Sequence, residues 1–222
     1  MSKIRIAALV SGGGTNLQAV IDQIEAGNIP ASIEVVVSSR EDAYALERAR
    51  RHGIEHLYIG SKNFPNLKER NNKLKKILEE REIDLILLAG YMQILGGSII
   101  EKYRNRIINI HPSLIPSFCG QGFYGEHVHR AVLEYGVKVT GATVHFVDEG
   151  TDTGPIILQK AADVEAGDTV ESLAKRVLAA EHELLPLAVK LFAEGRLLVE
   201  GRIVRIKGGY FIGEACFDQR IR

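Results

Sequence analysis

The chain has 222 residues, 45% of them apolar and 25% charged, enough to bury a full hydrophobic core in one domain or in one domain with a small extension. Lysine plus arginine balance aspartate plus glutamate at 28 each, so no global field recruits nucleic acid or an anionic membrane, and any anionic ligand needs a local site. The two cysteines, Cys119 and Cys216, offer neither a metal-ligand spacing nor a disulfide framework, which fits a reducing compartment.

Unalternated aliphatic and β-branched runs recur with helical segments between them: Ile4 to Val10, Ile33 to Val37, His56 to Ile59, Leu85 to Ala89 and Ile107 to Ile110. Such runs mark strands buried on both faces, and their alternation with helices predicts a parallel sheet. The first run is far shorter than the roughly 18 residues of a membrane span and leads into glycine, so it reads as a strand, with cytoplasmic location as the default. Helices are predicted over Thr15 to Glu25, with Leu17, Val20, Ile21 and Ile24 on one face, over Asp42 to His52, ended by Gly53, and over Leu67 to Arg81. Right-handed crossovers then give an α/β, Rossmann-like fold with a mainly parallel sheet and helices on both faces.

Past Ile110 the pattern changes. His111 to Tyr124 is rich in proline and glycine and has little periodicity, the composition of a functional loop. A helix from about Glu126 to Tyr135 follows, then strands Ala142 to Val147 and Pro155 to Ala161, joined by the polar segment Asp148 to Gly154. A long helix, Val170 to Glu194, precedes a small C-terminal β extension with turns at Gly201 and Gly208-Gly209. With no repeat, low-complexity tract or linker, residues 1–222 read as a single domain. It has a phosphate-binding N-terminal half to about residue 105 and a C-terminal half from about 106 carrying the catalytic loops.

Two stretches carry chemistry. Ser11-Gly12-Gly13-Gly14-Thr15-Asn16 joins the first strand to the first helix, where backbone N–H groups and the helix N-terminus favour a phosphate. No lysine precedes the threonine, Leu17 replaces the third glycine of a dinucleotide fingerprint, and Ser38-Ser39-Arg40 offers no carboxylate to a cofactor ribose. A single phosphate ester fits better than NAD. The second stretch is Asn109-Ile110-His111-Pro112-Ser113-Leu114-Ile115-Pro116, in which Asn109 and His111 project to the same side of a strand end. Asp152, in the loop Asp148 to Pro155, can reach the same edge. Singly, His111 and Asp152 read as well as turn residues. Together an amide, a protonated imidazole and a carboxylate make an acyl-transfer site without a metal or a protein nucleophile.

The string Asn109 to Pro116, with Gly141-Ala142-Thr143-Val144-His145-Phe146-Val147 and Asp152-Thr153-Gly154-Pro155-Ile156-Ile157, resembles the folate-dependent formyltransferases, from Ile4 to about Leu198. The resemblance implies transfer of the formyl group of 10-formyltetrahydrofolate, as co-substrate, to the amine of glycinamide ribonucleotide in purine biosynthesis. It implies small-molecule partners only, no nucleic acid and no membrane, and either a monomer or a homodimer. It makes Asn109, His111 and Asp152 the catalytic trio. It assigns Gly12, Gly13, Gly14, Thr15 and Asn16 to the acceptor phosphate and Glu181 to the acceptor ribose. Tyr91-Met92-Gln93-Ile94-Leu95, Asn109 and Asp148 fall at the folate; on the residues alone, Leu85 to Met92 reads as core strand.

The chain departs from that pattern in places. Gln93 stands where the family often has arginine, Leu67 where another arginine is expected, with Lys68 next to it, and Cys119 to Glu126 is longer than the usual turn. Cys119 reads as a spectator, His127 and His129 as surface or rim residues, and His145 as a residue that orients a water or packs. A formyl-folate deformylase would carry a domain ahead of the first strand, and a tRNA formyltransferase a C-terminal barrel, so where this chain starts and ends disfavours both. A non-catalytic nucleotide-binding module and an NAD-dependent oxidoreductase are the readings from other classes.

Overall fold

The computed structural model describes residues 3–208 together with the strands Tyr210–Ile212 and Ala215–Phe217. The predicted turn residue Gly209 and the side chain of Cys216 lie outside the described residues. The chain forms two compact units, Met1–Asn109 and Ile110–Arg222.

The first unit runs β1 (Ile4–Val10), α1 (Thr15–Glu25), β2 (Ala31–Ser38), α2 (Tyr44–Arg51), β3 (His56–Tyr58), α3 (Leu67–Glu80), β4 (Leu85–Leu88), α4 (Gly97–Lys102) and β5 (Ile107–His111), the last two residues of β5 belonging to the second unit. The strand order is β3-β2-β1-β4-β5, and each of these neighbouring pairs is parallel. Central β1 is buried from Ile6 to Val10, and β4 is buried throughout, which is why both sequences are unbroken apolar runs. The chain winds outward through β2 and β3, then returns to lay β4 on the other side of β1. That reversal makes a switch point at the carboxyl ends of β1 and β4, the place where open α/β sheets bind ligands.

In the second unit, α5 (Glu126–Tyr135) and β6 (Val139–Phe146) are followed by β7 (Ile156–Asp163), α6 (Val170–Ala193), β8 (Leu197–Glu200), β9 (Ile203–Ile206), β10 (Tyr210–Ile212) and β11 (Ala215–Phe217). β6 and β7 pair antiparallel, and their register shifts between Val144 and His145. Helix α6 starts from a capping box between Thr169 and Ser172 and packs against α5, β6 and β7. It buries Leu173, Val177, Leu184, Leu185 and Val189, the stripe that a core-facing helix repeats every three or four residues.

The α/β class and the mainly parallel sheet agree with the sequence reading, and α1 and α5 occupy the predicted spans. Three differences have local causes. α4 was not predicted, because a six-residue helix is too short to display a period. β6 begins at Val139, before the predicted Ala142, because Thr140 and Gly141 break the apolar run although both are buried. The C-terminal extension joins a larger sheet: β9 pairs antiparallel with β8 and parallel with β7 at Ile156 and Ile203.

Candidate active site

The glycine loop is held at its base by side chains and left open at its tip. Ser11 Oγ hydrogen-bonds Ser39 Oγ and accepts from the Met92 backbone N–H at 2.8 Å, which ties the segment after β4 to the segment after β1. Gly12 O accepts from the N–H of Ala45, and Gly13 O from Arg48 Nε at 2.7 Å. A Cβ on Gly12 or Gly13 would meet nothing within 4 Å, so packing does not demand these glycines. Gly14 is different: its φ is +73°, and a Cβ there would lie 2.6 Å from that of Ala45. As N-cap of α1 it supplies no side chain to the first-turn N–H groups, which suits a bound anion. Arg48, which the sequence reading missed, places a cation beside this loop; nothing in the spacing of α2 singles it out.

β4 ends at Leu88, one residue before the predicted Ala89 and well short of Met92, and Gly90 then turns the chain with φ +74°. Leu88 and Ala89 are buried, as is Leu95, while Met92 is 54% and Ile94 82% exposed. Tyr91 donates to Gln93 Oε1 across 3.4 Å, and burial, against the charge of Arg70, pushes its hydroxyl up to about 12. The segment thus presents two apolar side chains outward on an anchored backbone.

The acid–base cluster lies in the second unit. His111 ends β5, and its ring is 5% exposed; Nε2 is 2.9 Å from the carbonyl of Phe118, and Nδ1 is 3.5 Å from Oδ2 of Asp152. The same Oδ2 accepts the N–H of Gly120 at 3.0 Å. One short run, Phe118-Cys119-Gly120, therefore touches both partners, giving its carbonyl to the imidazole and its amide to the carboxylate. The loop is pinned from beneath: Thr143 Oγ1 donates to Ser113 O at 2.6 Å and accepts from Ile115 N, and Gln159 Nε2 donates to Ile115 O at 3.0 Å. Phe118 and Asp152 have φ of +49° and +57°, left-handed conformations that persist where surrounding contacts over-determine them.

Burial pushes the His111 imidazole below its ordinary 6.5, against the Phe118 carbonyl and the Asp152 charge, which favour protonation; His145 adds to the lowering. The charged ring expected from sequence is thus opposed in the free protein, because desolvation outweighs two acceptors. Asp152 keeps its carboxyl below 3.8 although burial raises it; the hydrogen bond from His145, the Gly120 N–H and the charge on His111 outweigh desolvation. The Cys119 thiol donates to Pro116 O and is pushed up by burial and by Asp152, so it stays protonated, an unsuitable nucleophile.

Other predicted residues stand as follows. Asn109 is half-buried on β5, two residues before His111, and pairs in register with Leu88. Glu181 is buried on α6 at 8% exposure. Asp148 accepts from Thr153 Oγ1 and from the N–H of Gly150, so it shapes its own loop. His127 is exposed with its ring against Tyr124, but His129 is buried at 4% rather than lying at a rim, because α5 turns it inward. Among the described residues, no group of three or more His, Cys, Asp or Glu side chains is set to hold a metal ion. No described helix is long and apolar enough to cross a membrane.

The second unit sets a carboxylate between two imidazoles, and the first unit has a glycine loop at a sheet switch point; the class these features define is an α/β protein equipped for proton-coupled chemistry. Residues 4–189 match the formyl transferase family, and the chain belongs to that family. It is 39% identical to phosphoribosylglycinamide formyltransferase of Haemophilus influenzae over 92% of this chain and 94% of that protein. The trifunctional purine biosynthetic protein adenosine-3 of Homo sapiens is 44% identical over 92% of this chain, which spans only 20% of its length. Among solved structures, glycinamide ribonucleotide transformylase 1 of Symbiobacterium toebii has 51% identity and a TM-score of 0.87, covering 92% of this chain and 94% of its own.

Proposed function

We propose that the chain transfers the formyl group of 10-formyltetrahydrofolate to the primary amine of glycinamide ribonucleotide, a step of purine biosynthesis, in the cytoplasm. The observation that carries the reading is the contact of His111 and Asp152, both gripped by one backbone run, in a chain so similar to phosphoribosylglycinamide formyltransferases.

Gly12 to Asn16 take the acceptor phosphate, with Arg48 adding charge, and Glu181 serves the ribose. The outward Met92 and Ile94 lie along the flat pterin, while backbone groups of Tyr91 to Leu95, with Asn109 and Asp148, meet its polar edge. The amine attacks the formyl carbon directly, and the Asn109 amide and a His111 N–H receive the developing oxyanion. Burial disfavours the imidazolium, while the Asp152 carboxylate and the negative charge building on that oxygen favour it, so a ring that enters the reaction protonated is stabilised as the oxyanion forms. Asp152, ionised throughout the approach, takes the proton that the amine sheds, directly or through a water, and returns it to the folate nitrogen.

Mixing the protein with 10-formyltetrahydrofolate and either glycinamide ribonucleotide or water, while following folate absorbance, tests this reading. Deformylation only in the presence of the acceptor is expected. Equal release in water would make the protein a hydrolase, and no release with either would leave a nucleotide-binding module.

A further inference from the structure

The glycine loop rests on one side of α2, which holds two successive carbonyls of the loop. The N–H of Ala45 donates to Gly12 O at 3.1 Å, and Arg48 Nε donates to Gly13 O at 2.7 Å. Ala45 and Arg48 are three residues apart, so they share a helix face. The fit is close: a Cβ on Gly14 would lie 2.6 Å from that of Ala45 and 3.4 Å from Cδ of Arg48.

The peptides Gly12-Gly13 and Gly13-Gly14 are trans, and a planar trans peptide directs its N–H opposite to its carbonyl. Drawing both carbonyls toward α2 therefore turns the N–H groups of Gly13 and Gly14 away from it, and neither donates to a described group. They lead into the uncapped first turn of α1 through the left-handed Gly14, a run of donors suited to an anion. Arg48 also stands apart from its neighbours on α2. Arg50 and Arg51 both bond Glu47, whereas no described carboxylate pairs with Arg48. Its guanidinium is fixed instead by Gly13 O, by Gln18 Oε1 at 3.2 Å from Nη1, and by the Tyr44 ring, 5.1 Å from Cζ. Gln18 is held in turn by Asp22 and His52. A guanidinium with a carbonyl, an amide and a ring around it works through its planar shape, which a point-charge ammonium does not reproduce.

We propose that Arg48 is a positioning residue which, beyond adding charge, holds Gly13 O and so aims the Gly14 N–H at the phosphate of the acceptor. The inference rests on the formyl-transfer reading and makes the phosphate ester, rather than the amine or the folate, the group whose recognition depends on Arg48.

Two measurements test the assignment. Arg48→Lys keeps the charge and loses the planar fork. Its KM for glycinamide ribonucleotide is expected to rise about tenfold, with kcat at saturation held, because an aimed donor to a charged group has been lost. With the dephosphorylated nucleoside as acceptor, KM should match that of the parent, a selectivity that general damage to the fold would not give. A parental KM for the ribonucleotide in Arg48→Lys would reduce Arg48 to a charge, and equal rises for the two acceptors would reduce it to a fold contact; either overturns the proposal. Because a variant can misfold, titration of the unaltered protein with inorganic phosphate, followed through the Gly14 amide resonance, supplies the second test. That amide should shift and saturate, and an unmoved Gly14 amide overturns the assignment. Absence of acceptor-dependent transfer by the unaltered protein would sink the functional reading instead, and the phosphate titration would still report where the Gly14 N–H is aimed.

Discussion

The glycine loop of the first unit and the acid–base cluster of the second are built on opposite plans. The loop is six consecutive residues whose useful groups are backbone N–H donors, set by one helix start and one left-handed glycine. The cluster gathers side chains from positions 111, 145 and 152, together with backbone from 118 to 120. It depends on a register shift and two left-handed non-glycine residues. A backbone site tolerates changes of identity but not of shape, whereas a side-chain site can lose its chemistry to the exchange of one oxygen for nitrogen.

The largest expected effect follows from that contrast. Asp152→Asn preserves volume and removes the proton acceptor, so kcat should fall by about 10²–10⁴-fold, with acceptor affinity by calorimetry nearly unchanged. His111→Asn keeps a donor but not a chargeable ring, and the expected loss is about 10²–10³-fold. Near-normal turnover in either variant would reduce the cluster to a loop clasp and end the comparison.

The loop should respond to shape alone. In Gly14→Ala the new methyl meets Ala45 and the backbone is forced to keep φ +73°, so stability should fall by about 1–3 kcal/mol. Gly12→Ala adds a methyl in open space, so its melting temperature should match the parent. Its expected defect is a higher KM for the phosphorylated acceptor, with kcat at saturation preserved. A fall in kcat for Gly12→Ala, or an unchanged KM, would break the separation between a binding loop and a chemical cluster.

How legible each region was follows from the same division. Strands β1, β2 and β4 and helices α1 and α5 are fixed by local periodicity, and the loop Ser11 to Asn16 is a contiguous motif between two of them. The pairing of His111 with Asp152 was reachable only through a resemblance, since nothing local ties a strand end to a loop so far along the chain. The grip of Phe118 and Gly120 on both was invisible, because backbone carbonyls and amides carry no sequence signature. His129 illustrates the reverse failure: a polar residue on an amphipathic helix reads as a rim residue, yet the turn after Gly125 points it inward beside Val128 and Val132.

That buried histidine supplies the smallest effect. Burial holds the His129 imidazole below 6.5, against the charge of Glu126, and no described group bonds its Nδ1. The unfolded chain therefore takes up this proton first as pH falls through about 6.5, and the stability that the neutral ring contributes above that pH is lost below it. His111 works in the same direction, so parent melting curves alone would mix the two. The clean quantity is the difference between His129→Leu and the parent. Leucine fills the site without a titrating group, so between pH 7.5 and 5.5 the variant should gain on the parent. Each kcal/mol of gain corresponds to about 2–4 °C in Tm. The carboxyl of Asp152, held below 3.8, titrates outside that window and leaves the difference undisturbed. A variant that gains nothing on the parent toward acid, or loses ground to it, would mean that His129 is solvated or charged in the native state, and that the helix leaves it at the rim after all.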